Sequence, residues 1–166
     1  QSTAFAADAY GRCTRRPGIA MATSGPGATN LLTGIGSCYF DSSPALFITG
    51  QVNTHEQKRD RGIRQLGFQE TDIVSMAKPI TKKSYLIENP LNSPSLLHEA
   101  YQISINDRQG PVLLDIPMNI QSSYIEDEPI TYLEAKTSKQ LPSKDQLQAL
   151  IAAIKKSKKP LFYKDF

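Results

Sequence analysis

Two glycines flank a proline in MATSGPGATNLLTGI, residues 21–35, and the stretch passes directly from an apolar run into one with helical spacing. A glycine-rich turn between a strand and a helix can offer backbone N–H groups to an anion. Ser24-Gly25-Pro26-Gly27 is nevertheless neither G-x-G-x-x-G nor a P-loop, and Pro26 removes one of the donors a phosphate cradle would use. On these residues alone two readings stay open. One is a plain tight turn, with Gly25 and Gly27 where the backbone angles need them and Pro26 to stiffen it. The other is a grip on some different part of a cofactor.

The remaining chemistry-bearing types are sparse. Cys13 and Cys38 are the only cysteines and form no C-x-x-C pair, and the two histidines, His55 and His98, lie far apart. That spacing suggests neither a zinc site nor a disulfide framework, and it points to a reducing compartment, the cytoplasm. Asp41 and Asp115 read as local structural acceptors, and Asp8, two turns along the opening helix, is not expected to take part in chemistry. The 19 basic and 16 acidic side chains give a net charge of +3, too mild and too scattered for a nucleic-acid binder. No apolar run approaches the roughly 18 to 20 residues that cross a bilayer, so no membrane is expected.

The elements that must position the glycine turn alternate in type. QSTAFAADAYGR is an opening helix with Ala4, Phe5, Ala7 and Tyr10 as its apolar stripe. IAMATS is a short buried strand, GPG turns the chain, and Ala28 to Phe40 forms a helix that the polar turn Asp41-Ser42-Ser43-Pro44 closes. ALFITG repeats the buried-strand pattern. The charged stretch of residues 51–67 is a long loop, either a solvated surface or a segment that meets another subunit or gates a channel. FQETDIVSMAKP is a short helix closed by Pro79, SYLI a third strand, and Ser93 caps a further helix with Pro94 at its first position. GPVLLDIP is the last buried strand.

Such alternation predicts an α/β fold, an open parallel sheet with helices on both faces. Ligands then gather beyond the carboxyl ends of the strands. Residues 1–121 form this domain, 122–142 read as an interdomain linker, and 143–166 open a second domain. Within the last, Ser143 caps a helix striped by Leu147, Leu150, Ile151 and Ile154, and KKPLFYKDF begins a strand. Both ends read as cut, so the chain is expected to be a piece of a larger protein.

TSGPGATNLLTGI, SSPALFITGQV, GFQETDIV, KPITKKSYLI and GPVLLDIP follow one another in the order and near the spacing of a known domain. Through them residues 1–121 resemble the amino-terminal, pyrimidine-binding domain of thiamine-diphosphate enzymes, on the acetolactate synthase branch. The resemblance implies that the turn, with Gly25 and Gly27, is a rigid wall against the aminopyrimidine ring of thiamine diphosphate, where missing side chains permit close approach. It implies that Thr23, Pro26 and Asn30 line that ring, that Gln69 approaches from the next loop, and that Arg108 contacts FAD where a flavin is carried. Asp107 and Gln109 depart from the family pattern around that arginine, and residues 51–67 form a longer loop than is common there.

By the same resemblance magnesium and the diphosphate belong to a separate domain, and the parent is a homodimer or higher oligomer acting on 2-keto acids. The family's catalytic glutamate falls immediately before Gln1, so this chain alone is expected to be inactive. Two alternatives share the residues: another thiamine-diphosphate-dependent decarboxylase, oxidase or carboligase, and a non-catalytic interaction module.

Overall fold

A computed structural model of the chain describes residues 1–125 and 141–161. It divides into two compact units, Gln1–Ala135 and Lys136–Phe166. In chain order the first unit contains α1 (Ser2–Thr14), β1 (Gly18–Ala22), α2 (Pro26–Thr29), α3 (Leu32–Phe40) and β2 (Ala45–Gln51). It continues with α4 (Ile73–Ala77), β3 (Lys83–Leu86), α5 (Ser93–Ile105), β4 (Pro111–Pro117) and α6 (Met118–Gln121). The strands form one sheet in the order β1-β2-β4-β3, and every pairing is parallel. Gly18, Ala45 and Pro111 stand level at the start of β1, β2 and β4.

The predicted α/β class and the helices on both faces are present. Alternate strand residues feed two cores. Ala20, Ala45, Phe47 and Leu113 pack on one face with Leu31, Ile35, Ile73 and Ala77 of the helices. Leu46, Val112 and Leu114 pack on the other with Ala100 and Ile120. The central strand β4 is buried from Pro111 to Asp115, which explains its unbroken apolar reading. The chain steps outward from β2 to β3 and then back to β4, so the sequence of strands reverses beside the carboxyl end of β2.

Helix α1 departs from the expected stripe. Its inward residues are Ala4, Ala7, Asp8 and Gly11, while Phe5 and Tyr10 stay about half exposed at 45% and 50%. The helix lies so close to α3 that a methyl group on Gly34 would collide with Ala4. Small residues, not large ones, define that face. Asp8 accepts hydrogen bonds from Arg12 Nε at 2.8 Å and from Ser37 Oγ at 2.8 Å, and Arg12 also pairs with Asp41. Burial pushes the Asp8 carboxyl up, but the bonds from Arg12, Ser37 and Ser43 outweigh it and leave the group below its ordinary range.

Three boundaries differ from the sequence reading. The helix expected over Ala28–Phe40 starts earlier, with Pro26 in the first turn, and is interrupted. The Leu31 N–H bonds to Ala28 O, a tightened turn between α2 and α3. Helix α4 ends at Ala77, and Pro79 sits inside a following 3-10 turn, Lys78–Ile80. Ser93 is the first residue of α5 and not its cap; Asn92 holds that place, at the end of the 3-10 turn Pro90–Asn92. Pro90 and Pro94 both favour helical φ, so the two turns run together.

In the second unit α7 (Lys144–Lys156) has the expected cap. Ser143 Oγ accepts from the Gln146 N–H at 3.2 Å, and the Ser143 N–H donates to Gln146 Oε1 at 2.8 Å. The linker expected over 122–142 falls mostly on residues 126–140, and the strand expected after Pro160 on 162–166; both lie outside the described residues.

Candidate functional site

Strand β1 runs out at Ala22, and the glycine turn caps its carboxyl end. Gly25 has φ +63°, a conformation open to glycine and strained for other residues. A side chain there would also meet Gln69: a Cβ would fall 2.8 Å from Gln69 Cβ and 3.1 Å from its carbonyl oxygen. Gln69 is itself left-handed, at φ +62°. Two unusual backbone conformations from distant parts of the chain are thus pressed together. Such local strain persists where surrounding structure holds it, and it concentrates at ligand sites.

In front of this contact lies a cleft of about 840 Å³, bounded by Met21, Thr23, Ile48, Gly50, Phe68 and Gln69, with Gln51, Glu56, Met118 and Gln121 at its margins. It occupies the carboxyl ends of β1, β2 and β4. That is the crevice predicted by a reversal of strand order. Met21 and Phe68 give it apolar sides, and Thr23, Gln69 and Gln121 bring hydroxyl and amide groups to it, a mixture suited to a small ligand with both apolar and hydrogen-bonding surface. Phe68 is 83% exposed at its rim.

The site residues expected from the sequence are divided by the structure. Thr23 and Gln69 line the cleft. Gly25 lies beneath, against Gln69, and a Cβ on Gly27 would lie 2.7 Å from Thr23 Cγ2, so both glycines shape the wall from behind. Asn30 turns its amide back onto its own loop, with Nδ2 donating to Pro26 O at 2.7 Å, and thereby stiffens the turn. Arg108 is elsewhere. It precedes β4 and donates from Nε to Ser42 Oγ at 2.7 Å, at the amino edge of the sheet.

Sequence reasoning read Asp115 as a structural acceptor but missed the partners through which it ties the cleft together. Asp115, 1% exposed, accepts from Thr49 Oγ1 at 2.7 Å and from Gln51 Nε2 at 2.8 Å. Burial, offset in part by those two bonds, pushes its carboxyl up to about 6. Gln51 Nε2 donates again, to Thr71 O at 2.7 Å, and Gln51 Oε1 accepts from the Val52 N–H at 2.9 Å. Glu70 gathers the long loop, its two oxygens accepting from the Lys58 N–H at 2.6 Å and the Leu66 N–H at 2.7 Å. Thr54 and Asn119 exchange two hydrogen bonds between that loop and α6. The signal available was the polar pair Thr49 and Gln51 closing an otherwise apolar strand.

The loop of residues 51–67 is therefore folded back on its own ends. Glu56, the acidic residue lining the cleft, accepts from the Asn53 N–H at 3.1 Å in a capping box. Asp8, Asp41 and Asp115 accept hydrogen bonds from neighbouring side chains in the ways described. Among the described residues no three His, Cys, Asp or Glu side chains gather to hold a metal ion, and no helix is long and apolar enough to cross a membrane.

A parallel α/β sheet with a glycine turn after β1 and a cleft at the carboxyl ends of β1, β2 and β4 is the arrangement in which such folds hold ligands. Residues 1–76 match the family described as thiamine pyrophosphate enzyme, N-terminal TPP binding domain. It is 38% identical over 167 residues to the acetolactate synthase of Arthrospira platensis, covering 98% of this chain and 28% of that protein. It is 39% identical to acetolactate synthase 2, chloroplastic, of Nicotiana tabacum, with 98% and 24% covered. The acetolactate synthase large subunit of Parasynechococcus marenigrum is 38% identical, with 98% and 26% covered. The chain thus spans about a quarter of the length of the curated relatives it matches.

Proposed function

We propose that this chain supplies the pyrimidine-binding wall of an acetolactate synthase-like enzyme, which decarboxylates one 2-keto acid and transfers the acyl group to a second. The observation that carries the reading is the packing of Gly25 on Gln69 behind a cleft at the carboxyl ends of the strands. The residues fit the ring: the glycines let Gln69 and Thr23 close up on the turn, Met21 and Phe68 offer apolar surface, and Thr23 and Gln69 offer polar groups. When bound, thiamine diphosphate would supply the nucleophilic carbon and the electron sink for decarboxylation.

This chain's own part is binding and orientation. Thr23 and Gln69 would fix the plane and rotation of the ring, and the strained turn would hold its distance from the sheet without reorganising on binding. Phe68 at the rim would shield the ring from water. Magnesium and the diphosphate would be held by a different domain, and the family's proton-relaying glutamate by residues outside those described. A homodimer is the arrangement in which two such half-sites meet. FAD, where present, would reach Arg108 from the amino edge, away from the thiamine ring.

Calorimetric titration of thiamine diphosphate with magnesium into the full-length polypeptide tests the reading. Gln69→Ala is expected to weaken binding about tenfold, the loss of one good hydrogen bond and its packing, and turnover of pyruvate to acetolactate should fall with it. Affinity unchanged by Gln69→Ala and by Thr23→Val would remove the cleft as the headgroup site.

A further inference from the structure

Asp115 carries a buried carboxyl group at the carboxyl end of a central strand and takes no part in the binding just described. It lies deeper than Gln51, which alone of the two reaches the cleft margin. An ionised carboxylate only accepts hydrogen bonds, so Gln51 must turn its NH2 group towards Asp115. That choice leaves the second amide hydrogen for Thr71 O and the amide oxygen for the Val52 N–H. Every polar atom of Gln51 is then used, and its orientation is dictated from below.

Thr71 lies two residues beyond Gln69. The segment between them is further closed by the Glu70 N–H to Gly67 O at 3.1 Å and the Ile73 N–H to Thr71 O at 2.9 Å. Holding Thr71 O therefore fixes where the chain re-enters the fold after its left-handed residue. We propose that Asp115, acting through Gln51, is a positioning residue that seats residues 67–72 and sets Gln69 against the glycine turn. The proposal rests on the cleft being the thiamine headgroup site only for its functional consequence.

The sign of the hydrogen bonds distinguishes this role from packing. Asn at position 115 has the same shape as Asp, but it must present NH2 to Thr49 or to Gln51. Facing Thr49, whose hydroxyl also accepts, it leaves Gln51 in place; facing Gln51, it turns that amide over, so that Gln51 Oε1 looks at Thr71 O and the bond is lost. Gln51→Met removes the bond in either case, so an unmoved segment overturns the proposal when Gln51→Met leaves it unmoved too.

Amide hydrogen exchange on the full chain near pH 8 reads the effect. Asp115→Asn is expected to speed exchange at Glu70 and Ile73 by about tenfold, the equivalent of one hydrogen bond, while amides of β2 and β4 keep their rates. Thr49→Val, which cuts the other bond to Asp115, should leave Glu70 and Ile73 unaffected. In the full-length polypeptide Asp115→Asn should weaken thiamine diphosphate binding about tenfold. Should Asp115→Asn not fold, Gln51→Met asks the same question of Glu70 and Ile73. Uniform acceleration across strands and loop, or none at residues 67–73 in either variant, overturns the proposal. A loosened segment with unchanged thiamine affinity upholds the positioning role and counts against the headgroup reading instead.

Discussion

At the scale of single residues, burial decides what each ionisable group does. Burial disfavours the charged form of the Asp115 carboxyl and Asp72 nearby adds to this, while the bonds from Thr49 and Gln51 offset only part of it. Unfolded, it titrates near 3.8; folded, near 6. The native state therefore holds an extra proton between those values, and stability declines as pH rises through that window. The contribution amounts to about 3 kcal/mol at most, two pH units at about 1.4 kcal/mol each. Denaturant melts at a series of pH values should show it as a slope present in the parent and absent in Asp115→Asn, on top of any constant offset from the altered hydrogen bonds. Parallel curves for the two proteins between pH 4 and pH 6 would refute the assignment. Cys38 shows the same physics in a thiol: burial drives it up to about 12, which makes it an unreactive core residue.

At the scale of elements, close approach outweighs apolar bulk. Of the stripe expected on α1, Ala4 and Ala7 are inside, against Gly34 of α3 and Gly18 of β1, whereas Phe5 and Tyr10 stay half exposed. That choice was not legible locally, since the spacing of a helix shows which residues share a face but not how near the partner comes. The central strands were legible because a parallel sheet covered on both sides needs continuous apolar runs, and β2 and β4 have them; β1, read as a buried strand, lies at the sheet edge with Ile19 and Met21 exposed. Boundaries at α2, α4 and α5 shifted where proline and 3-10 turns extend a helix beyond its periodic core. Two glycines of α3 separate the effects. Gly34→Ala would drive a methyl into Ala4, and the overpacking should cost about 2–3 kcal/mol. Gly36→Ala has its nearest neighbour at 3.9 Å, Ile80 Cδ1, and should gain about 0.5–1 kcal/mol from helix propensity. Urea unfolding of both variants gives opposite signs if α1 packs on α3 as described, and the same sign if it does not.

At the scale of the whole sheet, the site residues expected from the sequence occupy two edges. Thr23, Gly25, Gly27 and Gln69 converge at the carboxyl edge because β1 ends in the glycine turn and the chain after β2 doubles back to it. That meeting was legible only through the ordered series of family strings, because nothing local to Gln69 says which loop it will touch. Of its supports, Asp115 was legible as a structural acceptor but its partners Gln51 and Thr49 were not, and Glu70 was not: a carboxylate satisfied across the sheet does not show in sequence which groups it will meet. Arg108 lies at the opposite edge, before β4 and bonded to Ser42 ahead of β2. Strands of about seven residues hold those edges about 20 Å apart. If thiamine headgroup binding belongs to the carboxyl edge, Arg108→Ala should lower stability by about 1 kcal/mol through the lost Ser42 bond while leaving thiamine diphosphate affinity within about twofold, less than one tenth of the binding energy of a micromolar ligand. Flavin content, read by absorbance of the purified full-length polypeptide, is the property that should respond. A tenfold loss of thiamine affinity with flavin unchanged would mean that the amino edge of one sheet serves the thiamine site as well, and the separation of the two edges would have to be abandoned.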